Sequence, residues 1–137
     1  MTSIVEYEGD LRTTCRHLRS GNSFETDAPI DNNGKGERFS PTDLMATSLA
    51  TCMITVMGIK ARTIGFDLAG VKVDVEKLMK AEPRRIGGIN LSFHFPGALH
   101  NLDEKTKQIL KNTGNTCPVQ QSLHPDIEVK VDWGEWK

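Results

Sequence analysis

From Leu44 to Ile59 the chain carries no charged side chain, and this run of 16 residues constrains the fold more than any other feature. Ser40-Pro41-Thr42-Asp43 stands directly before it and has the marks of a helix start. Ser can cap, Pro fits the first helical position, and a carboxylate follows the cap by three residues. The spacing predicts a helix from Pro41 to about Thr63, with Gly65 as its stop signal. Met45, Leu49, Cys52, Val56 and Ile59 recur at steps of four and three, a stripe expected to face the core, and Leu44, Met53, Ile54 and Met57 cover much of the rest. A helix apolar nearly all round needs cover on most sides, from its own domain or from a second subunit. The uncharged run, which includes three Thr and one Ser, is too short to span a bilayer.

The segments on either side read as strands and short helices. Ile4 to Glu8, Leu11 to Arg19 and Asn22 to Thr26 form a small meander divided by Gly9-Asp10 and Ser20-Gly21, and Asp31 to Glu37 is a loop. Beyond the long helix, Val71, Val73 and Val75 alternate with charged residues, and Ile89, Leu91, Phe93 and Phe95 alternate with polar ones, the pattern of half-buried antiparallel strands. Leu102 to Thr113 reads as an amphipathic helix ended by Gly114. Cys117-Pro118 opens a shorter helix before Pro125, and Ile127 to Trp133 is a final alternating strand. The order is βββ, long α, ββ, αα, β, which indicates an α+β domain and argues against a parallel doubly wound sheet. At 137 residues, a single domain spanning 1–137 is expected. Seventeen basic against 18 acidic side chains leave a net charge of -1, so neither nucleic acid nor a membrane surface is an expected partner. The first thirty residues hold no apolar stretch of the kind a secretory signal needs, and a cytoplasmic location is the expectation.

Chemistry rests on the cysteines. Cys15, Cys52 and Cys117 make an odd count, which does not suit a disulfide scaffold. Cys52 lies in mid-helix, where a buried apolar role is the plainer assignment. Cys117 precedes Pro118 and is expected at an N-cap, beside unpaired backbone N–H groups that favour a thiolate. No metal is expected: there is no C-x-x-C or H-E-x-x-H, and Cys117 and His124 do not have a zinc spacing. A Cys/His acyl transfer would need His17, His94, His100 or His124 beside a thiol, and each reads as a solvated surface histidine. Gly34-Lys35-Gly36 is too short to cradle a phosphate.

Taken in order, Ser40-Pro41-Thr42-Asp43-Leu44, Ala50-Thr51-Cys52, Pro83-Arg84-Arg85-Ile86 and Cys117-Pro118-Val119 resemble the OsmC/Ohr family of thiol peroxidases over nearly the whole chain. The resemblance implies an intertwined homodimer of α+β subunits that reduces organic hydroperoxides with two cysteines and no bound cofactor. It assigns attack to Cys52 and resolution to Cys117, and it has no counterpart for Cys15. The family's activating arginine lies in the N-terminal strands, where Arg12, Arg16 and Arg19 compete and Arg12 is carried over. Thr42 stands where well-characterised members have a Glu, and Asp43 supplies a carboxylate one residue later.

That chemistry is a thiolate attacking a peroxide oxygen to give a sulfenic acid, which condenses with a second thiol and is recycled by an external thiol or dithiol. Cys52 is far from a helix N-terminus and would need a cation, here Arg12, to hold its thiolate. Asp43 precedes Cys52 by nine positions, on the order of 13 Å along the axis, so the two cannot touch within one helix. As a candidate site residue Asp43 would have to orient the arginine from another subunit or across a kink, and capping is its simpler role. Cys52 and Cys117 are expected to lie within bridging reach. A low pKa at Cys117 would make it a good leaving group when the disulfide is reduced. The competing function is a dimeric small-ligand-binding or redox-sensing protein that does not turn over.

Overall fold

The chain opens as a three-stranded antiparallel sheet: β1 (Ser3–Gly9), β2 (Arg12–His17) and β3 (Ser23–Asp27). The computed structural model describes residues 1–137 and divides into two compact units, Met1–Met45 and Ala46–Lys137. Gly9, Asp10 and Leu11 all take positive φ in the turn from β1 to β2. The first unit buries no apolar side chain. Its interior consists of Thr26, Asp27 and Ser40, while Val5, Tyr7, Phe24, Ile30 and Phe39 are exposed.

Polar contacts hold this unit together. Arg12 and Asp27 face each other across β2 and β3. The guanidinium donates from Nε and Nη2 to the two oxygens of Asp27, at 2.7 and 2.8 Å, and from Nη2 to Glu37 at 2.9 Å. Asp27 is 1% exposed, so a planar bidentate partner satisfies a carboxylate that water cannot reach. The returning loop is tied down by the backbone bond from Asp27 N–H to Phe39 C=O, at 3.1 Å.

α1 (Pro41–Ile64) begins and ends as its sequence signals direct. Ser40 Oγ accepts from Asp43 N–H at 3.1 Å, while Asp43 Oδ2 accepts from Ser40 N–H at 2.9 Å, a reciprocal capping box. At the other end Gly65 has φ 106°, its N–H bonds to Arg62 C=O, and the N–H of Phe66 reaches Ala61 C=O, a Schellman closure. The buried face differs from the expected stripe. Ala46, Leu49, Ala50, Met53, Met57 and Ala61 are buried, Cys52 and Val56 are half-buried, and Met45 and Ile59 are exposed by 42% and 63%. Where apolar residues surround a helix, periodicity cannot say which arc faces the core, and the small alanines decide it here by allowing close packing. By length and hydropathy alone α1 would suffice to cross a membrane, yet a third of its most apolar window is buried within the chain.

The second unit carries another three-stranded sheet, β4 (Lys72–Lys80), β5 (Arg85–His94) and β6 (Glu128–Asp132), in the order β4-β5-β6. β4 and β5 are antiparallel, but β6 pairs parallel to β5, where an antiparallel strand is expected from its alternation. Alternation reports one buried face and not direction. The connection runs through α2 (Glu104–Gly114) and α3 (Pro118–Ser122), and such a helical crossover returns a strand parallel to the first. Ile89, Leu91, Phe93 and Phe95 of β5 and its continuation join the buried face of α1 in one apolar cluster. Each fully buried Leu, Met or Phe there contributes about 1.5–3 kcal/mol. The chain's last turn caps the cluster: Trp136 stacks on Phe95 with ring centroids 3.7 Å apart and donates its indole N–H to Leu99 C=O at 3.0 Å.

Two outcomes are expected. Gly134 has φ 51°, and a Cβ there would meet the carbonyl oxygen of Phe93. Gly134→Ala should therefore destabilise the fold by about 1–3 kcal/mol, read as a lowered thermal midpoint. The Arg12 hydrogen bonds hold the Asp27 carboxyl below its usual 3.8. A depressed folded pKa stabilises above the unfolded value and is lost as pH falls through the folded one. Amide exchange in β2 and β3, corrected for intrinsic rates, should rise as pH falls from about 6 to about 3. Asp27→Asn should already exchange faster at the upper pH and respond much less to acid.

Candidate functional site

The second unit brings Cys52 and Cys117 together, although 65 positions separate them (117 - 52). Cys52 comes from the flank of α1, half-buried between the core-facing and exposed arcs. Cys117 comes from the turn between α2 and α3 and is 1% exposed. Three features of the sequence place it there. Asp103 caps α2, its side chain accepting from Thr106 N–H at 2.9 Å. Gly114, the last residue of α2, packs so closely on α1 that a Cβ would stand 2.9 Å from Met57 Sδ. Pro118 then forces a new helix, leaving Cys117 as its N-cap.

The thiol of Cys117 does what an N-cap side chain should, since its Sγ accepts from Gln120 N–H at 3.4 Å. Its titration nevertheless runs opposite to the expectation of a low pKa. Burial pushes the Cys117 thiol up, the Gln120 amide pulls it down, and the neighbouring Cys52 adds to the rise. A cap supplies one or two partial charges at modest distance, whereas removing a thiolate from water penalises the whole charge. Cys117 is therefore held as a thiol whose S–H can donate toward Cys52. Gln120 was not legible as a site residue, though the N-cap pattern fixes the third helical residue as the donor.

Arg12 and Asp43 belong to the first unit. Arg12 is held by Asp27 and Glu37, and these hydrogen bonds raise its already high pKa, so it is a permanent cation. Neither carboxylate is legible in the sequence, because strand register brings Asp27 to the guanidinium and the loop before α1 brings Glu37. Asp43 makes the capping-box bond to Ser40. Cys15 lies on β2, its Sγ 3.9 Å from Thr13 Oγ1. The hydrogen bonds of the four histidines go elsewhere: His17 to Ser20, His94 to Asp74, His100 to Phe95 C=O, and His124 to Asp126 N–H. Arg85, in the Pro83-Arg84-Arg85-Ile86 segment, closes the β4–β5 hairpin by donating to the carbonyls of Ala81 and Pro83. Nowhere do three His, Cys, Asp or Glu side chains converge as a metal would require. One turn along α1 from Cys52, an open cavity of about 390 Å³ is lined by Thr55, Gly58, Ile59, Arg62, Phe66 and Asp67.

Known proteins share this fold. A protein of Psychrobacter arcticus 273-4, provisionally named an osmotic stress induced and detoxification response protein, shares 54% identity over 96% of this chain and 94% of its own, with a TM-score of 0.91. The organic hydroperoxide resistance protein OsmC of Legionella pneumophila has the same fold at 20% identity, covering 96% of each chain with a TM-score of 0.72. OhrB of Bacillus subtilis, also an organic hydroperoxide resistance protein, matches at 17% identity over 96% of this chain and 97% of its own, with a TM-score of 0.64. No curated protein sequence matches the chain. The family model described as OsmC-like protein matches residues 34–132, a span that holds α1, the second sheet and both helices of its crossover, and the chain belongs to the OsmC-like family.

Proposed function

We propose that this protein is a thiol-dependent peroxidase that reduces small organic hydroperoxides, with Cys52 attacking and Cys117 resolving. The observation that carries the reading is the contact between the two thiols within one unit. Support comes from the hydroperoxide resistance of the proteins that share the fold. In the first step the Cys52 thiolate attacks the terminal peroxide oxygen, the O–O bond breaks, and the alkoxide takes a proton to leave as an alcohol. The sulfenic acid on Cys52 then meets Cys117, whose sulfur forms the S–S bond as water departs. Burial of Cys117 suits this order, since a protonated, screened thiol does not compete for peroxide but waits beside the sulfur that has reacted. Arg12 is the cation the reading assigns to the Cys52 thiolate, with Asp27 and Glu37 fixing its orientation. Asp43 starts α1 through its capping box with Ser40.

The partner in this reading is a second copy of the chain. Met45 and Ile59 on α1, and Val5, Tyr7 and Phe24 on the first sheet, are exposed apolar side chains on elements that a stable monomer would leave wet. A first unit with no apolar core of its own fits the same need. Sedimentation at micromolar concentration should give a dimer, and a stable monomer would remove this part of the reading.

One equivalent of hydroperoxide should lower the intact mass by two hydrogens. Cys117→Ser should accumulate a sulfenic acid on Cys52 that a dimedone-type probe captures. Cys52→Ser should label only slowly at Cys117, and labelling there at the wild-type rate would reverse the two roles. Oxidation without recycling by added dithiol would favour the sensing or ligand-binding alternative.

A further inference from the structure

The turn that carries Cys117 is tied to the last turn of α2 by three consecutive amides. The N–H of Asn115 bonds to Lys111 C=O at 3.0 Å, that of Thr116 to Thr113 C=O at 3.3 Å, and that of Cys117 to Gly114 C=O at 3.2 Å. Pro118 then fixes the next φ. A displacement of Gly114 is therefore passed on to Cys117. The bare side of Gly114 faces two side chains from different elements: a Cβ built there would stand 2.9 Å from Met57 Sδ and 3.5 Å from Trp133 Cη2.

These two supports are unlike. Met57 is fully buried, yet a thioether on three rotatable bonds repacks to follow its neighbour. The Trp133 indole turns about two torsions only, and its surroundings hold it still. Phe93 lies against the ring with centroids 4.7 Å apart. Asp132, the residue before, is paired with Ser92 in the parallel ladder. On the other side, the Trp133 C=O accepts from Trp136 N–H at 2.9 Å, and Trp136 is fully buried. The ring edge is thus a hard stop for the end of α2.

We infer that Trp133 is a positioning residue for the cysteine pair: its ring sets how closely Gly114 approaches α1, and through the three amides it sets the place of Cys117 beside Cys52. The residue touches neither sulfur's reaction directly and acts only through Gly114. Its use rests on the peroxidase reading, in which Cys117 must reach a sulfenic acid on Cys52. The contact of the two thiols is present whatever the oxidant. Reactions between groups held together are sensitive to such placement, and a misplacement of about 1 Å can cost about a hundredfold.

The test measures the effective concentration of Cys117 toward Cys52 in the full-length protein, at equilibrium with a glutathione redox buffer. Each Cys52–Cys117 bond formed reduces one glutathione disulfide to two glutathione thiols, so two electrons leave the protein and the balance is fixed by the buffer. Samples are quenched in acid, blocked with N-ethylmaleimide and quantified by mass as linked and free peptides, with Cys15 read separately. Trp133→Leu should lower the effective concentration at least about tenfold, while Trp133→Phe, which keeps a flat ring, should stay within about threefold of wild type. Ile89→Val, at a buried position four residues before Phe93 on β5, should lower the thermal midpoint and leave the effective concentration unchanged. An unchanged value in Trp133→Leu, an equal fall in Ile89→Val, or no Cys52–Cys117 bond in the wild type would overturn the proposal. If circular dichroism shows Trp133→Leu unfolded, Trp133→Met takes its place with the same expectation, since it fills the space and lacks the rigidity. Peroxide is applied to a separate sample. If it leaves both thiols reduced while the buffer shows the dependence on Trp133, the peroxidase reading fails and the positioning role stands.

Discussion

The burial of one face of α1 is the constraint on which the second unit depends. Leu49, Met53 and Met57 are fully buried, and the small Ala46, Ala50 and Ala61 share their face. Gly114 exploits this by bringing the end of α2 against Met57. Three residues later the chain reaches Cys117, in contact with Cys52, which precedes Met57 on α1 by five residues. The two thiols meet because a glycine, a proline and a methionine fix where the crossover between β5 and β6 lies on the helix. No residue at the site has to be strained for this to happen.

The two units solve the problem of stability differently. Ala46–Lys137 has an apolar cluster closed by aromatic contacts, Phe93 on Phe95 and Phe95 on Trp136 stacked and Phe93 on Trp133 tilted. Met1–Met45 has a buried carboxylate held by a guanidinium and almost nothing apolar inside. A buried ion pair is weak support for a fold by itself, since the desolvation of both charges offsets most of their attraction. Its value is geometric: the bidentate pair fixes register between β2 and β3 and sets the direction of Arg12. Glu37 adds a third hydrogen bond to the same guanidinium.

Cys117 illustrates two influences on a thiol that pull in opposite directions. The N-cap geometry is present, with the Gln120 amide in place, and yet the thiol is raised because it has lost nearly all contact with water. Desolvation acts on the full charge of a thiolate, while a five-residue helix offers little dipole to compensate. The result is two neighbouring sulfurs in unlike settings, one half-buried and one screened from water.

The amino-acid sequence by itself determined the elements and their ends. Ser40, Pro41 and Asp43 start α1, Gly65 stops it, Cys117-Pro118 opens α3, and the alternation in β4 and β5 marks their buried faces, because caps, breakers and side-chain period act within a few residues of one another. It also carried the motif order that places the chain in its family. Tertiary structure alone decided which arc of α1 is buried, because a helix apolar on all sides has no local preference. It decided the parallel pairing of β6, since alternation has no direction, and the partners of Arg12, which strand register and the path of a loop bring together. It decided the protonation tendency of Cys117 as well, because burial is a property of everything packed around a sulfur and no sequence window contains it.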